Sequence, residues 1–228
     1  MRIGILGTGM VGQAVAAKLA ELDHEVLVGT RDPAATLARD EPHPVYGIPP
    51  FHVWHEQHPS VKLGTFADAA AHGELVVNAT AGAASLDALR LAGEANLAGK
   101  VLVDIANALD YSRGMPPSLL VANTDSLGER IQRAFPAVKV VKALNTMNAL
   151  LMVNPRQLGD GDHTVFVCGD AAEAKALVTG LLTEGFGWRD VIDLGDITSA
   201  RGTEMLLPIW VRLWGALQVP MFNFKVVR

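Results

Sequence analysis

Gly7, Gly9 and Gly12 stand at the G-x-G-x-x-G spacing between an apolar run, RIGIL (2–6), and a stretch from Met10 to Leu22 of helical character. The first glycine of such a set allows a tight turn, the second lets the backbone approach a pyrophosphate, and the third permits close packing of helix on strand. The phosphates then meet free N–H groups at the positive end of the helix dipole. The turn from Gly7 to Gly12, including Thr8, Met10 and Val11, is therefore expected to bind a dinucleotide.

About 20 residues further on, such sites usually carry an acid that accepts hydrogen bonds from ribose hydroxyls. Here the second strand, EVLVG (25–29), leads to Thr30, Arg31, Asp32 and Pro33. A hydroxyl and a guanidinium donate to a 2′-phosphate, which an acid would repel. Asp32 could be that acid displaced by one residue, but it precedes Pro33, the arrangement of a helix N-cap with proline at the first helical position. The expected cofactor is NADP(H), with Thr30 and Arg31 as its phosphate clamp.

Ligands of doubly wound sheets bind at the carboxyl ends of the strands. Three further runs end on polar residues: Asn78-Ala79-Thr80, Asp104-Ile105-Ala106-Asn107, and Lys142-Ala143-Leu144-Asn145-Thr146. Asn78, Ala79 and Thr80 are expected to border the nicotinamide ribose, with Ala106 and Asn145 beside them. Such residues also cap helices and shape turns.

Conventional catalytic groups are scarce. No Ser-His-Asp order, paired carboxylates or H-E-x-x-H motif stands out, and no catalytic residue is assigned. Lys142 could donate a proton, or simply reach a phosphate or solvent. His52, His55 and His58, flanked by Pro49, Pro50 and Pro59, suggest a loop forming a polar lid, with no metal site. Cys168, the only cysteine, lies in the apolar run HTVFVCG and reads as a buried structural thiol. Trp54, Trp188, Trp210 and Trp214 read as core or interface.

These groups need elements to hold them. The runs RIGIL, EVLVG, VKLG (61–64), ELVVNAT (74–80), KVLVDIAN (100–107), VKVVKALN (138–145), HTVFVCG (163–169) and RDVIDLG (189–195) alternate with helical stretches near 10–22, 33 onward, 85–91, 170–183 and 198–217. The alternation predicts an α/β fold, a Rossmann-type doubly wound and mainly parallel sheet with helices on both faces. The 228 residues suit a single domain, 1–228, with a small C-terminal helix and tail over 198–228. Residues 40–60, with five prolines and four histidines, form the one long irregular stretch and are expected to be a lid-like insertion. A net charge of −5 lacks the basic face of a nucleic-acid binder. Arg212 and two prolines interrupt the apolar segment 205–222, so no membrane span is expected. A strand starting at Arg2 leaves no room for a signal peptide, and a cytoplasmic location is expected.

The segments IGILGTGMVGQAVAAKLAELDHEVLVGTRD, VVNATAG, VDIAN and VVKALNTMNALLM closely resemble the NADPH-dependent reductases of the deazaflavin coenzyme F420. They are similar also to the cytosolic reductase domain of the STEAP metalloreductases, in which NADPH reduces a flavin. The likeness covers nearly the whole chain and is strongest over 1–32 and 138–153. It implies that Thr30 and Arg31 contact the 2′-phosphate. It also implies that the segments around Asn78–Thr80 and Asn145–Met147 lie near the nicotinamide and the acceptor ring, with Asn107, Asn145, Thr146 and Met147 as acceptor residues. The F420 reductases commonly have a Gly-Gly-Thr-Gly first turn where this chain has Gly7-Thr8-Gly9, and the 40–60 stretch is a further departure.

Hydride transfer between a nicotinamide and a flavin-like ring requires two flat rings with reacting atoms about 3–3.5 Å apart, and no obligatory protein acid. The expected co-substrate is coenzyme F420, FMN or FAD. The alternative enzyme is an NADPH-dependent imine or 2-oxo acid reductase, which wants a proton donor. The non-enzymatic alternative is an NADP-sensing regulatory protein. The helix near 198–217 is apolar nearly all round and must be covered on more than one side. A homodimer is expected, with the 220–228 tail and the 40–60 loop as the alternative cover.

Overall fold

The apolar β-branched runs become strands of one sheet. The structure, a computed structural model, describes residues 1–42 and 48–228. Its strands are β1 (Arg2–Leu6), β2 (Glu25–Thr30), β3 (Lys62–Thr65), β4 (Leu75–Asn78), β5 (Val101–Asp104), β6 (Leu109–Asp110), β7 (Ser118–Leu119), β8 (Lys139–Ala143), β9 (Thr164–Cys168) and β10 (Asp190–Asp193). Its helices are α1 (Met10–Glu21), α2 (Pro33–Leu37), α3 (Phe51–Gln57), α4 (Phe66–His72), α5 (Ser85–Ala92), α6 (Glu94–Leu97), α7 (Leu127–Ala134), α8 (Ala149–Val153), α9 (Ala172–Gly180) and α10 (Ala200–Leu217). The sheet order is β10-β9-β8-β5-β4-β1-β2-β3, and β6 and β7 form a separate hairpin. All neighbours in the sheet run parallel except β8 and β9. This is the expected Rossmann-type architecture.

Successive strand residues face opposite sides, so a sheet covered on both faces must be apolar at consecutive positions. Val103 and Val141 join one core layer with Ile3, Ile5, Val15 and Leu19, while Leu102 and Val140 join the other with Leu6, Leu89 and Ile131. Each fully buried Val, Leu or Ile side chain contributes about 1.5–3 kcal/mol.

The loop expected around His52–His58 is instead helix α3. Pro50 precedes its first turn, and Phe51, Trp54, His55 and His58 share one helical face. Phe51 is buried in the core beside Val26, Val28 and Val61, and Trp54 packs against that layer. The rings of Trp54 and His58 stack at 4.4 Å. The three histidines face different backbone carbonyls: His52 that of Arg39, His55 that of Val61 and His58 that of Trp54. Among the described residues no cluster could hold a metal ion. Of the expected lid, residues 43–47 lie outside the described part, and 51–57 are seated on the core.

The helix expected over 170–183 is α9, continued by a π-helical turn at Leu181–Phe186. Helix α10 turns Ala200, Thr203, Glu204, Leu207 and Val211 inward. The tail folds back along β9, where Thr164 N donates to Phe224 O and Val226 N donates to Thr164 Oγ1. Phe222 stacks on Trp210 at 5.1 Å. Among the described residues no helix is long and apolar enough to cross a membrane.

Helices α7 and α10 are joined by charge. Ser126 caps α7, and its hydroxyl donates to Glu129. Arg201 of α10 donates to both Glu129 carboxylate oxygens. These bonds hold the Glu129 carboxyl below its usual range, with the Arg201 guanidinium the chief cause. A depressed folded-state pKa stabilises the fold above the ordinary Glu value and loses that contribution as pH falls through the lowered one. Urea titrations should therefore show Glu129→Gln less stable than the parent at neutral pH, with the gap closing as pH falls below the ordinary Glu value. A gap that does not change with pH would mean that the pair contributes nothing through charge.

Candidate functional site

Parallel strands put their carboxyl ends on one edge, and the residues after β1, β2, β4, β5 and β8 share it. Gly7 leaves β1 with φ of 116°, and its N–H donates to Gly29 O at 2.9 Å. A Cβ on Gly7 would lie 2.6 Å from Ala79 O, and one on Gly12 would lie 2.1 Å from Gly7 O. Both positions exclude a side chain. Gly9 differs, because a Cβ there would meet nothing within 4 Å. It is the N-cap of α1, no side chain caps that helix, and its first turn carries no acid. The first-turn N–H groups, at Met10, Val11 and Gly12, have no intrahelical partner. Gln13 Nε2 donates to Thr8 O at 2.9 Å and pins the turn. An open glycine before an uncapped helix fits a phosphate.

At the end of β2, Asp32 turns its carboxylate into α2, where it accepts from Ala35 N at 2.9 Å. It acts as the N-cap, with Pro33 behind it. The Thr30 and Thr36 hydroxyls share a hydrogen bond of 2.9 Å. Arg31 is exposed, and its side chain has no hydrogen-bond or ion-pair partner among the described residues.

On the far side of β1 the edge is internally bonded. Asn78 opposes Asp104, which opposes Lys142, across three strands. Asn78 Nδ2 donates to Asp104 Oδ1 at 2.8 Å and to Ser85 Oγ at 3.1 Å, while its Oδ1 accepts from the Thr80 hydroxyl at 2.7 Å. The Asn78 carboxamide is thus fully engaged within the protein. Lys142 Nζ lies 2.9 Å from Asp104 Oδ2 and 2.9 Å from Glu204 Oε1, and it donates also to Ala106 O. Neither role considered for Lys142 holds: its side chain is 0% exposed and reaches neither solvent nor an open cleft. Burial pushes the ammonium toward losing its proton, but the Asp104 and Glu204 carboxylates outweigh this and raise its pKa above the ordinary value. Glu204 also accepts from the N–H groups of Leu127 and Gly128, at 2.8 and 3.0 Å, capping α7. Burial pushes the Cys168 thiol, opposite Lys142 on β9, up to about 12, in keeping with a structural role.

Asn107 and Asn145 form a reciprocal pair. Asn107 Nδ2 donates to Asn145 O at 2.8 Å, and Asn145 Nδ2 donates to Asn107 Oδ1 at 3.0 Å. Leu144 before it has φ of 62°, a strained setting for a branched side chain. Ala106, Asn145, Thr146 and Met147 are buried, and Asn107, Ala79 and Thr80 are half-buried. The edge therefore gathers the sequence-predicted groups, but Glu204 and Leu144 escaped the sequence reading. For Glu204 the only signal was an acid in an apolar helix matched by a lysine in an apolar strand.

A family model described as NADP oxidoreductase coenzyme F420-dependent matches residues 2–108. A crystal structure from Arthrobacter sp. FB24, described as a candidate F420-dependent NADP-reductase, is 63% identical over 100% of both chains, with a TM-score of 0.96. The F420-dependent NADP reductase of Methanothermobacter marburgensis is 27% identical over 217 residues, 93% of this chain and 92% of that protein. Metalloreductase STEAP3 of Rattus norvegicus is 30% identical over 214 residues; the match takes in 92% of this chain but spans only 38% of that protein's length.

Removing one member of a buried ion cluster leaves the others uncompensated, at a cost of about 3–5 kcal/mol. Lys142→Met should lose stability of that order in urea denaturation, or fail to accumulate as folded protein. A variant within about 1 kcal/mol of the parent would show that the Asp104 and Glu204 carboxylates do not depend on the ammonium.

Proposed function

This chain belongs to the family of coenzyme F420-dependent NADP oxidoreductases, and from that premise we propose that it transfers a hydride between NADP(H) and coenzyme F420 or a flavin such as FMN or FAD. The observation that carries the reading is the pairing of an open Gly9, at the uncapped start of α1, with an exposed Arg31 at the end of β2 that has no partner among the described residues. Gly7, Gly9, Gly12 and the backbone of Thr8, Met10 and Val11 would hold the pyrophosphate. Thr30 and Arg31 would hold the 2′-phosphate, since Asp32 is occupied as a cap. Asn78, Ala79, Thr80, Ala106 and Asn145 would border the nicotinamide ribose. Because the Asn78 carboxamide is engaged internally, it would contribute shape and backbone rather than its side chain.

When bound, the nicotinamide supplies the hydride chemistry; the protein has to orient two rings. Asn107, Asn145, Thr146 and Met147 would form the acceptor side. Asp104 and Lys142, the titratable groups at the ends of β5 and β8, are buried against each other, so they offer no proton to a carbonyl or imine. That favours a flat-ring acceptor over 2-oxo acid or imine reduction. A cytoplasmic setting goes with this reading.

Titration of Arg31→Glu tests the cofactor. It should weaken NADPH binding roughly tenfold or more, as expected for a charge-assisted contact worth about 1.5–3 kcal/mol, and NADH binding little. Equal losses would assign Arg31 elsewhere. In the same preparation, NADPH absorbance should fall with coenzyme F420 or a flavin and not with simple 2-oxo acids. Turnover of 2-oxo acids would favour the carbonyl or imine reading, and tight binding without any turnover would favour a sensor.

We also propose a homodimer through the outer face of α10. Met205, Ile209, Leu213 and Leu217 recur every four residues there, and Met205, Ile209 and Leu217 remain 39%, 48% and 55% exposed despite the folded-back tail. Light scattering at micromolar concentration should report about twice the chain's 24.2 kDa. A species at the single-chain mass would remove the dimer.

A further inference from the structure

The polar row at the strand ends carries unequal charge. Two carboxylates, Asp104 and Glu204, meet one ammonium, Lys142, with side chains at most 3% exposed. The Leu127 and Gly128 N–H groups spread part of the Glu204 charge. Among the described residues no second cation pairs with either carboxylate. The ion pair that joins the same two helices, Arg201 with Glu129, is balanced within itself.

The position of the row gives this excess a consequence. In a doubly wound sheet the two nucleotide halves lie over the two halves of the strand edge. Arg31 follows β2, so the adenosine half belongs with β1, β2 and β3. The nicotinamide half then falls to β4, β5 and β8, whose ends hold Asn78, Asp104 and Lys142. The oxidised ring carries one positive charge, and gaining a hydride, two electrons and one proton, makes it neutral. Buried charges escape the screening of water and salt and so act further than exposed ones.

We propose that the excess negative charge of the Asp104–Lys142–Glu204 cluster biases this site toward the oxidised, cationic form of NADP relative to the neutral reduced form, which strengthens hydride donation. The inference rests on NADP(H) occupying this edge. Asp104 and Glu204 act here through their field, without touching the reacting atoms. A purely structural cluster would behave differently, since a disturbed floor weakens both cofactor forms alike.

The test measures Kd for NADP+ and for NADPH with the parent protein, Asp104→Asn and Glu204→Gln. Each substitution removes one negative charge, leaves Lys142 one carboxylate partner and brings the cluster to neutrality. The ratio Kd(NADP+)/Kd(NADPH) should rise roughly three- to tenfold in each folded variant, as a unit charge felt through a partly screened interior requires. A ratio within about twofold of the parent, or a fall, in any variant with a cooperative melt overturns the proposal. Should Asp104→Asn not fold, Glu204→Gln decides, because its carbonyl can still accept an α7 N–H. A parent protein that binds neither form overturns the NADP reading and this inference together, whereas binding of both with an unchanged ratio removes this inference alone.

Discussion

A lysine ammonium out of contact with water must be surrounded by acceptors, and here that requirement ties β5, β8 and α10 together and, through Glu204, the start of α7. Lys142 on β8 meets Asp104 on β5, Glu204 on α10 and the carbonyl of Ala106. Glu204 in turn caps α7. Taking such charges out of water costs several kcal/mol each, and their attraction offsets this only when geometry is good and the remaining hydrogen bonds are made. Both conditions hold here. Helix α10, from the far end of the chain, is therefore part of the scaffold: withdrawing it would strip a buried ammonium of a partner and the Leu127 and Gly128 N–H groups of their acceptor.

The cluster also shapes the edge above it. Asp104 Oδ1 accepts from Ala106 N while Lys142 takes Ala106 O, which fixes the chain as it leaves β5. Asn107 then meets Asn145, brought into reach by the left-handed turn at Leu144. Strain of that kind persists only where the surroundings over-determine it. The ends of β4, β5 and β8 thus form a rigid floor whose polar groups satisfy one another. By contrast, Gly9 on the other side of the edge is open, and Arg31 has no partner among the described residues. A satisfied floor beside an open glycine turn and an exposed guanidinium would suit the proposed orientation of planar rings, where misplacement by about 1 Å can cost two orders of magnitude in rate.

Much of the architecture was legible in the sequence because its signals are local. A glycine that must turn, a cap before a proline and an apolar run long enough for a strand are each set within a few residues, and Gly7, Asp32 and β1 stand as expected. The misreading over 52–58 shows the limit. Prolines around three histidines suggested a loop, yet Pro50 lies just before the first turn, where its missing N–H breaks no intrahelical bond. What makes α3 a helix is the seating of Phe51 and Trp54 on a core drawn from β2 and from Val61. No window of sequence contains that core.

The candidate site divides the same way. The sequence by itself singled out Gly9, Thr30 and Arg31 as phosphate-binding candidates, because the chemistry that marks them is carried on residue types at adjacent positions. Only the tertiary structure decided that Asn78 faces inward, and that Lys142 is an interior cation rather than a proton donor or a surface hook. A side chain's charge is written in its residue type, whereas its burial and partners depend on elements packed from distant parts of the chain. Glu204 reaches Lys142 only because α10 folds back over the ends of strands formed long before it in sequence.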